Sequence, residues 1–165
     1  MAGDGKLMLG AIVVSLLAGC ATPSPPNATA FDKKAYNYSE WAKGLFSEVV
    51  TVSHPGRIIF FGGVGAEDET ATSGGKILHI GDFMGQCLYA WEKIKRSLEK
   101  QGATLNDVDK ATTYITDIRY LQDSLKCRGQ VFGSTPQPAG TLVNVTQLAW
   151  PGMLYEVDII AVTEK

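Results

Sequence analysis

The chain has 165 residues, 45% hydrophobic and 19% charged, which is the make-up of a single packed globular domain and leaves no room for a second. Its 17 acidic and 15 basic side chains give a net charge of -2. That balance excludes the strongly basic surface on which nucleic-acid binding normally depends, so no nucleic-acid partner is expected.

In chain order, the first segment is the most decisive. Lys6 precedes an apolar stretch from Leu7 to Leu17, too short to span a bilayer and the right length for the core of a signal peptide. Leu17-Ala18-Gly19-Cys20 follows and resembles the bacterial lipobox, in which small residues fit the peptidase and the cysteine sulfur accepts a diacylglyceryl group. The expectation is a signal peptide at 1–19 and a mature protein that begins at a lipidated Cys20, with a membrane as partner through that lipid. Stable anchoring takes two or more acyl chains, because a single chain holds only marginally. Ala21, with no Asp in that place, resembles lipoproteins sent to the outer membrane, so the expected location is the cell envelope, on the periplasmic side of the outer membrane if the source has two membranes. Residues 20–30 carry Pro23, Pro25 and Pro26 among Ser, Thr and Asn and read as a tether. The folded domain is then 31–165.

Val49, Val50 and Val52 lead through His54-Pro55-Gly56 to Ile58-Ile59-Phe60-Phe61, which reads as two strands joined by a tight turn. Four successive apolar residues ask for cover on both faces of the sheet, an early hint of a partner subunit. Ile80, Met84, Cys87, Leu88, Trp91, Ile94 and Leu98 recur at steps of three and four, the mark of an amphipathic helix that Gly102 stops. Glu92 with Arg96, and Lys95 with Glu99, sit on its outer face at a spacing that stabilises a helix by only a few tenths of a kcal/mol per pair.

The stretch Lys110 to Thr116 is rich in β-branched residues and reads as a strand, and Asp117 is placed to cap a second helix with Tyr120, Leu121, Leu125, Val131 and Phe132 as its apolar positions. Thr135-Pro136-Gln137-Pro138 closes that helix, and two strands follow, Thr141 to Thr146 and Met153 to Val162. The order strand, strand, helix, strand, helix, strand, strand describes an α+β domain with two helices packed on one face of a sheet. Once Cys20 is lipidated, Cys87 and Cys127 remain. An oxidising compartment would permit them to pair, but each falls on a helix pattern where cysteine serves as a small core residue, and that is the expectation here.

Several stretches in succession resemble the signatures of the RidA/YjgF family. They are Gln86, Gly102, Asp107 to Asp117, Gln137-Pro138-Ala139-Gly140-Thr141-Leu142-Val143, and Tyr155-Glu156-Val157-Asp158-Ile159-Ile160-Ala161. The resemblance runs from about Trp41 to the C-terminus. It implies a chorismate-mutase-like fold, a mixed sheet with two helices on one face, and a homotrimer with ligand clefts between subunits. Members with deaminase activity hydrolyse enamines and imines of 2-oxo acids, and an arginine grips the substrate carboxylate; that position is Gly140 here. Arginine suits the task because its planar fork meets a carboxylate with two charge-assisted hydrogen bonds. Glu156 matches the glutamate that positions a water, so the resemblance makes it the candidate catalytic residue. Thr141 and Leu142 follow the missing arginine, Trp41 falls where a tyrosine of the neighbouring subunit is common, and Phe61-Gly62-Gly63 stands where Ser-Gly-Gln is usual. Arg119 borders the family cleft and is a candidate source of a cation from another direction. Trp41, Gly63, Arg119, Gly140, Thr141 and Leu142 are thus the expected ligand-binding residues.

No cofactor is expected. The run Gly62-Gly63-Val64-Gly65 lacks the full dinucleotide pattern, and His54 and His79 are the chain's two histidines with no third ligand beside them in sequence, so no metal site is expected either. Three functions follow: a binder of a small metabolite, an imine or enamine deaminase using Glu156, and a non-catalytic trimeric scaffold.

Overall fold

The computed structural model describes residues 30–165; the expected signal peptide, Cys20 and nearly all of the tether lie outside the described residues. Eight main elements follow in order: β1 (Asp32–Tyr36), β2 (Val49–Ser53), β3 (Ile58–Phe60), α1 (Phe83–Lys100), β4 (Val108–Ile115), α2 (Leu121–Phe132), β5 (Ala139–Asn144) and β6 (Tyr155–Val162). The strands form a two-stranded sheet, β1-β2, and a four-stranded sheet in the order β3-β6-β4-β5. In the larger sheet β4 and β5 run parallel, with α2 as their crossover, and the other pairs are antiparallel. The expected α+β class, with its mixed sheet and two helices, is therefore the observed one.

One expectation is corrected. The two strands flanking His54-Pro55-Gly56 do not form a hairpin: β2 pairs with β1, Tyr36 opposite Val49, whereas β3 pairs with β6, Ile58 opposite Val162. The turn is used to change sheets. His54 takes a positive φ of 52°, and Gly56 donates its N–H to Thr163 O at 2.9 Å. A Cβ on Gly56 would stand 2.6 Å from the main chain of Glu164, so the C-terminal backbone approaches closer than any side chain permits. The strand β1, Asp-Lys-Lys-Ala-Tyr, has no apolar alternation to announce it and is held by main-chain pairing and by the Lys33–Asp109 ion pair at 2.5 Å. Ser47 joins the small sheet to the start of β5, accepting from Gly140 N at 3.2 Å and donating its N–H to Pro138 O at 3.1 Å.

The core lies between the helices and the larger sheet. Along β4 and β6 alternate residues are buried, so Ala111, Ile115, Tyr155, Val157 and Ile159 meet Phe83, Ala90, Trp91, Ile94 and Leu98 of α1. Burial of such side chains stabilises by about 1.5–3 kcal/mol each. Asp82 caps α1 by accepting from Gly85 N at 2.9 Å, and Gly102 follows it with φ of 67°. Ile80, placed on the helical stripe by its spacing, precedes the helix and is exposed; Phe83 takes the first buried position. Gln86 is fully buried and fully used, donating to Gly152 O at 2.8 Å and His79 O at 3.2 Å and accepting from Leu154 N at 2.8 Å.

A second correction concerns the cysteines. Cys87 and Cys127 form a disulfide that ties α1 to α2, with Cα atoms 6.5 Å apart. Both helix patterns do place a cysteine on the buried stripe, and it is because the two stripes face each other that the sulfurs meet.

Candidate functional site

Trp41, Gly140, Thr141 and Leu142 line one cavity of about 390 Å³. Its floor is the edge of the larger sheet, where Thr113 of β4 stands in register with Leu142 of β5. One wall is α2, which contributes Leu121, Leu125 and Arg128 at steps of four and three, a single helical stripe. The other wall is the segment between β1 and β2: a short 3-10 turn at Glu40–Ala42 presents Trp41, and Phe46 meets it edge to face with ring centroids 5.5 Å apart. Tyr155 closes the bottom; it accepts from Trp91 Nε1 at 2.8 Å, and burial pushes its phenol up to about 12.

Gly140 has a steric partner on each side. A Cβ there would stand 3.0 Å from Phe46 Cβ and 3.1 Å from Arg128 Nη1. A side chain there would thus press on Phe46 and on the guanidinium, each of which would have to give by a few tenths of an ångström. Arg128 was not among the residues expected from sequence. It donates from Nε to Gln137 Oε1 at 2.8 Å and from Nη2 to Pro138 O at 2.8 Å, and burial lowers its guanidinium to about 10. The readable signal was its place on the apolar stripe: Arg128 follows Leu121 and Leu125 at helical spacing, where a charge stands out.

Glu156 is elsewhere. Opposed residues on neighbouring strands share a face, and Glu156 stands opposite Tyr114, which stands opposite Val143. That is the face turned away from the helices, whereas Leu142, Thr113 and Val157 share the helix-covered one. Gly63 goes with Glu156: a Cβ at 63 would meet Glu156 Oε1 at 2.0 Å, so the carboxylate arm lies across the glycine and would have to swing aside for any side chain there. Burial, then the negative charges of Glu67 and Asp158, raises the Glu156 carboxyl above its usual range. Tyr114 donates to Asp158 Oδ2 at 2.9 Å on the same face. The Thr141 hydroxyl also lies on this face and accepts from Lys110 Nζ, so only the remainder of that residue reaches the cavity.

Arg119 joins neither group. Its guanidinium is exposed and grips Asp117, the carboxylate that also accepts from Arg119 N at 2.9 Å at the start of the 3-10 turn Ile118–Tyr120. The expected site residues therefore fall into a helix-side cavity (Trp41, Gly140, Leu142), an open-face cluster (Gly63, Glu156, the Thr141 hydroxyl) and a solvated loop (Arg119).

Residues 39–163 match the family described as Endoribonuclease L-PSP. The chain belongs to that family. A RutC family protein of Pyrococcus abyssi is 34% identical over 122 residues, 73% of this chain and 88% of the relative. Among solved structures, the Rid family protein YyfB of Yersinia pestis superposes with a TM-score of 0.69 at 23% identity, covering 79% of this chain and 98% of that one. A member of the YjgF/YER057c/UK114 family from Mycobacterium tuberculosis does so with a TM-score of 0.54 at 26% identity, covering 80% of this chain and all of that one. The Endoribonuclease L-PSP match begins at Ser39 and so takes in Trp41, the cavity and Glu156, but not β1.

Proposed function

We propose that this family member is an exported, lipid-anchored protein that holds a small metabolite and does not carry out the usual imine deamination. The observation that carries this reading is the side chain missing at Gly140: where the deaminases have a substrate-gripping arginine, this chain offers none, and beside Gly140 lies a cavity walled by Trp41, Leu45 and Leu142. A concave, mainly apolar pocket with few polar groups is the usual form of a small-molecule site. Ile58 and Phe60 are 50% and 72% exposed on the open face, an apolar surface that supports assembly of three copies through that side. In such an assembly the open-face Glu156 of one copy comes toward its neighbours.

The test is release of 2-oxo acid from freshly generated imines by the full-length chain. The expected result is a rate at the uncatalysed background. Turnover well above it, abolished in Glu156→Gln, would overturn the binding-only reading in favour of a hydrolase. One observation favours that second reading: a carboxyl raised by burial and neighbouring charge accepts a proton more readily than an ordinary one, as a general base requires. The anchoring is tested separately by metabolic labelling with a radioactive fatty acid, which is expected to mark the wild type and not Cys20→Ser.

A further inference from the structure

Arg128 carries a charge that nothing in the described chain neutralises. Its Nε and Nη2 are spent on two neutral acceptors, Gln137 Oε1 and Pro138 O, and among the described residues no carboxylate lies within ion-pair distance of it. Nη1 has no hydrogen-bond partner among them either, and it is this nitrogen that faces the space beside Gly140. A half-buried cation without a counter-ion is costly, and proteins rarely keep one unless something binds it. Two fixed hydrogen bonds hold the guanidinium plane in place, so its free edge is oriented before a ligand arrives, which lowers the ordering cost of binding. The Phe132 ring, 5.8 Å from its carbon, supports the same plane from α2.

We propose that Arg128 anchors the carboxylate of a ligand whose flat apolar body lies in the cavity between α2 and the Trp41–Phe46 segment. This rests on the reading above that the cavity holds a small molecule and adds the class of that molecule. The acid group meets Nη1 beside Gly140, and Ser124 and Thr113 are the hydroxyl residues of the same lining. Trp41, Phe46 and Leu142 then cover the apolar body, and the aromatic pair suits a planar one. One cation matches one carboxylate; a phosphate dianion would leave a negative charge uncompensated in the same apolar surroundings. The absence of a side chain at residue 140 is part of the site, because even a methyl there stands 3.1 Å from Nη1 and crowds the edge that the acid uses.

The test is calorimetric titration of the full-length chain with indole-3-acetate, phenylacetate and benzoate, each beside its uncharged amide. At least one acid is expected to bind about ten-fold or more tightly than its amide, the fold-change of a lost charge-assisted hydrogen bond. In Arg128→Gln that ratio is expected to fall to near one, and in Gly140→Ala, which leaves both anchors of the guanidinium intact, to fall in the same direction. Equal affinity for acid and amide overturns the role of Arg128 and leaves the cavity as a neutral-ligand site. A ratio that survives in Arg128→Gln also overturns it by placing the anion elsewhere. Failure of all six compounds to bind overturns the cavity reading itself, and this inference with it. If Arg128→Gln does not fold, the wild-type ratio and Gly140→Ala decide.

Discussion

On β6, successive residues enter two different environments. Tyr155, Val157, Ile159 and Ala161 are buried beneath the helices, whereas Glu156, Asp158 and Ile160 are only partly covered on the opposite face. The helix-covered face is mainly apolar, and within it Trp91 Nε1 and the Tyr155 hydroxyl answer each other. The open face of the same strands carries a Glu, an Asp, a Tyr and a Lys together with exposed Ile58 and Phe60. Because side chains alternate along a strand, one stretch of sequence serves stability with every second residue and leaves the others for assembly or chemistry. Residues consecutive in sequence, such as Tyr155 and Glu156, therefore have little to do with each other.

Removing the largest side chain from the covered face gives the largest effect. Trp91→Ala is expected to destabilise by about 3–5 kcal/mol in chemical denaturation, since it empties a large volume and removes a hydrogen bond from the buried Tyr155 hydroxyl. A loss below about 1 kcal/mol would show that the helix layer is not the seat of stability. Reducing the Cys87–Cys127 disulfide, which closes a 40-residue separation across α1 and α2, is expected to cost about 2–4 kcal/mol, read as a lowered midpoint in reductant. Cys87→Ala with Cys127→Ala should then be insensitive to reductant.

The open face should respond in the opposite manner. Phe60→Glu is expected to change the denaturation free energy of one chain by less than about 1 kcal/mol, because its ring is solvated within the chain. The same change should abolish assembly in sedimentation. A variant that still assembles would remove the open face as the contact. The smallest effect is that of pH on Glu156. Its folded carboxyl titrates above the unfolded value, so the folded state holds its proton more firmly. The penalty for ionising it is absent below the unfolded range and sets in as pH rises through the raised one. Glu156→Gln should therefore gain stability relative to wild type as pH climbs through that window; a constant difference between the two would show that the carboxyl is not perturbed.

How far the site could be read from sequence differs by residue. Glu156, Gly140 and Trp41 stand at positions marked by family signatures, and each proved to sit in a cavity or a cluster. That Glu156 and Gly140 lie on opposite sheet faces follows from strand register, which no signature spells out. Arg119 looked available because it sits in a loop, yet its nearest carboxylate, Asp117, takes the guanidinium. Arg128 was legible only as a charge on the apolar stripe of α2, after Leu121 and Leu125, and nothing in the motifs marked it.

The sequence alone determined the α+β class, the order of the elements from the second strand onward, the buried stripe of α1 and the family. Each of these is written in local periodicity or in motifs, which survive without knowledge of what packs where. Only the tertiary structure decided that β2 turns to β1 and β3 to β6, that Cys87 meets Cys127, and that Arg128 stands beside Gly140. Those pairings join residues far apart along the chain, and their geometry is set by how two surfaces meet when the core closes, which the pattern of neither segment contains.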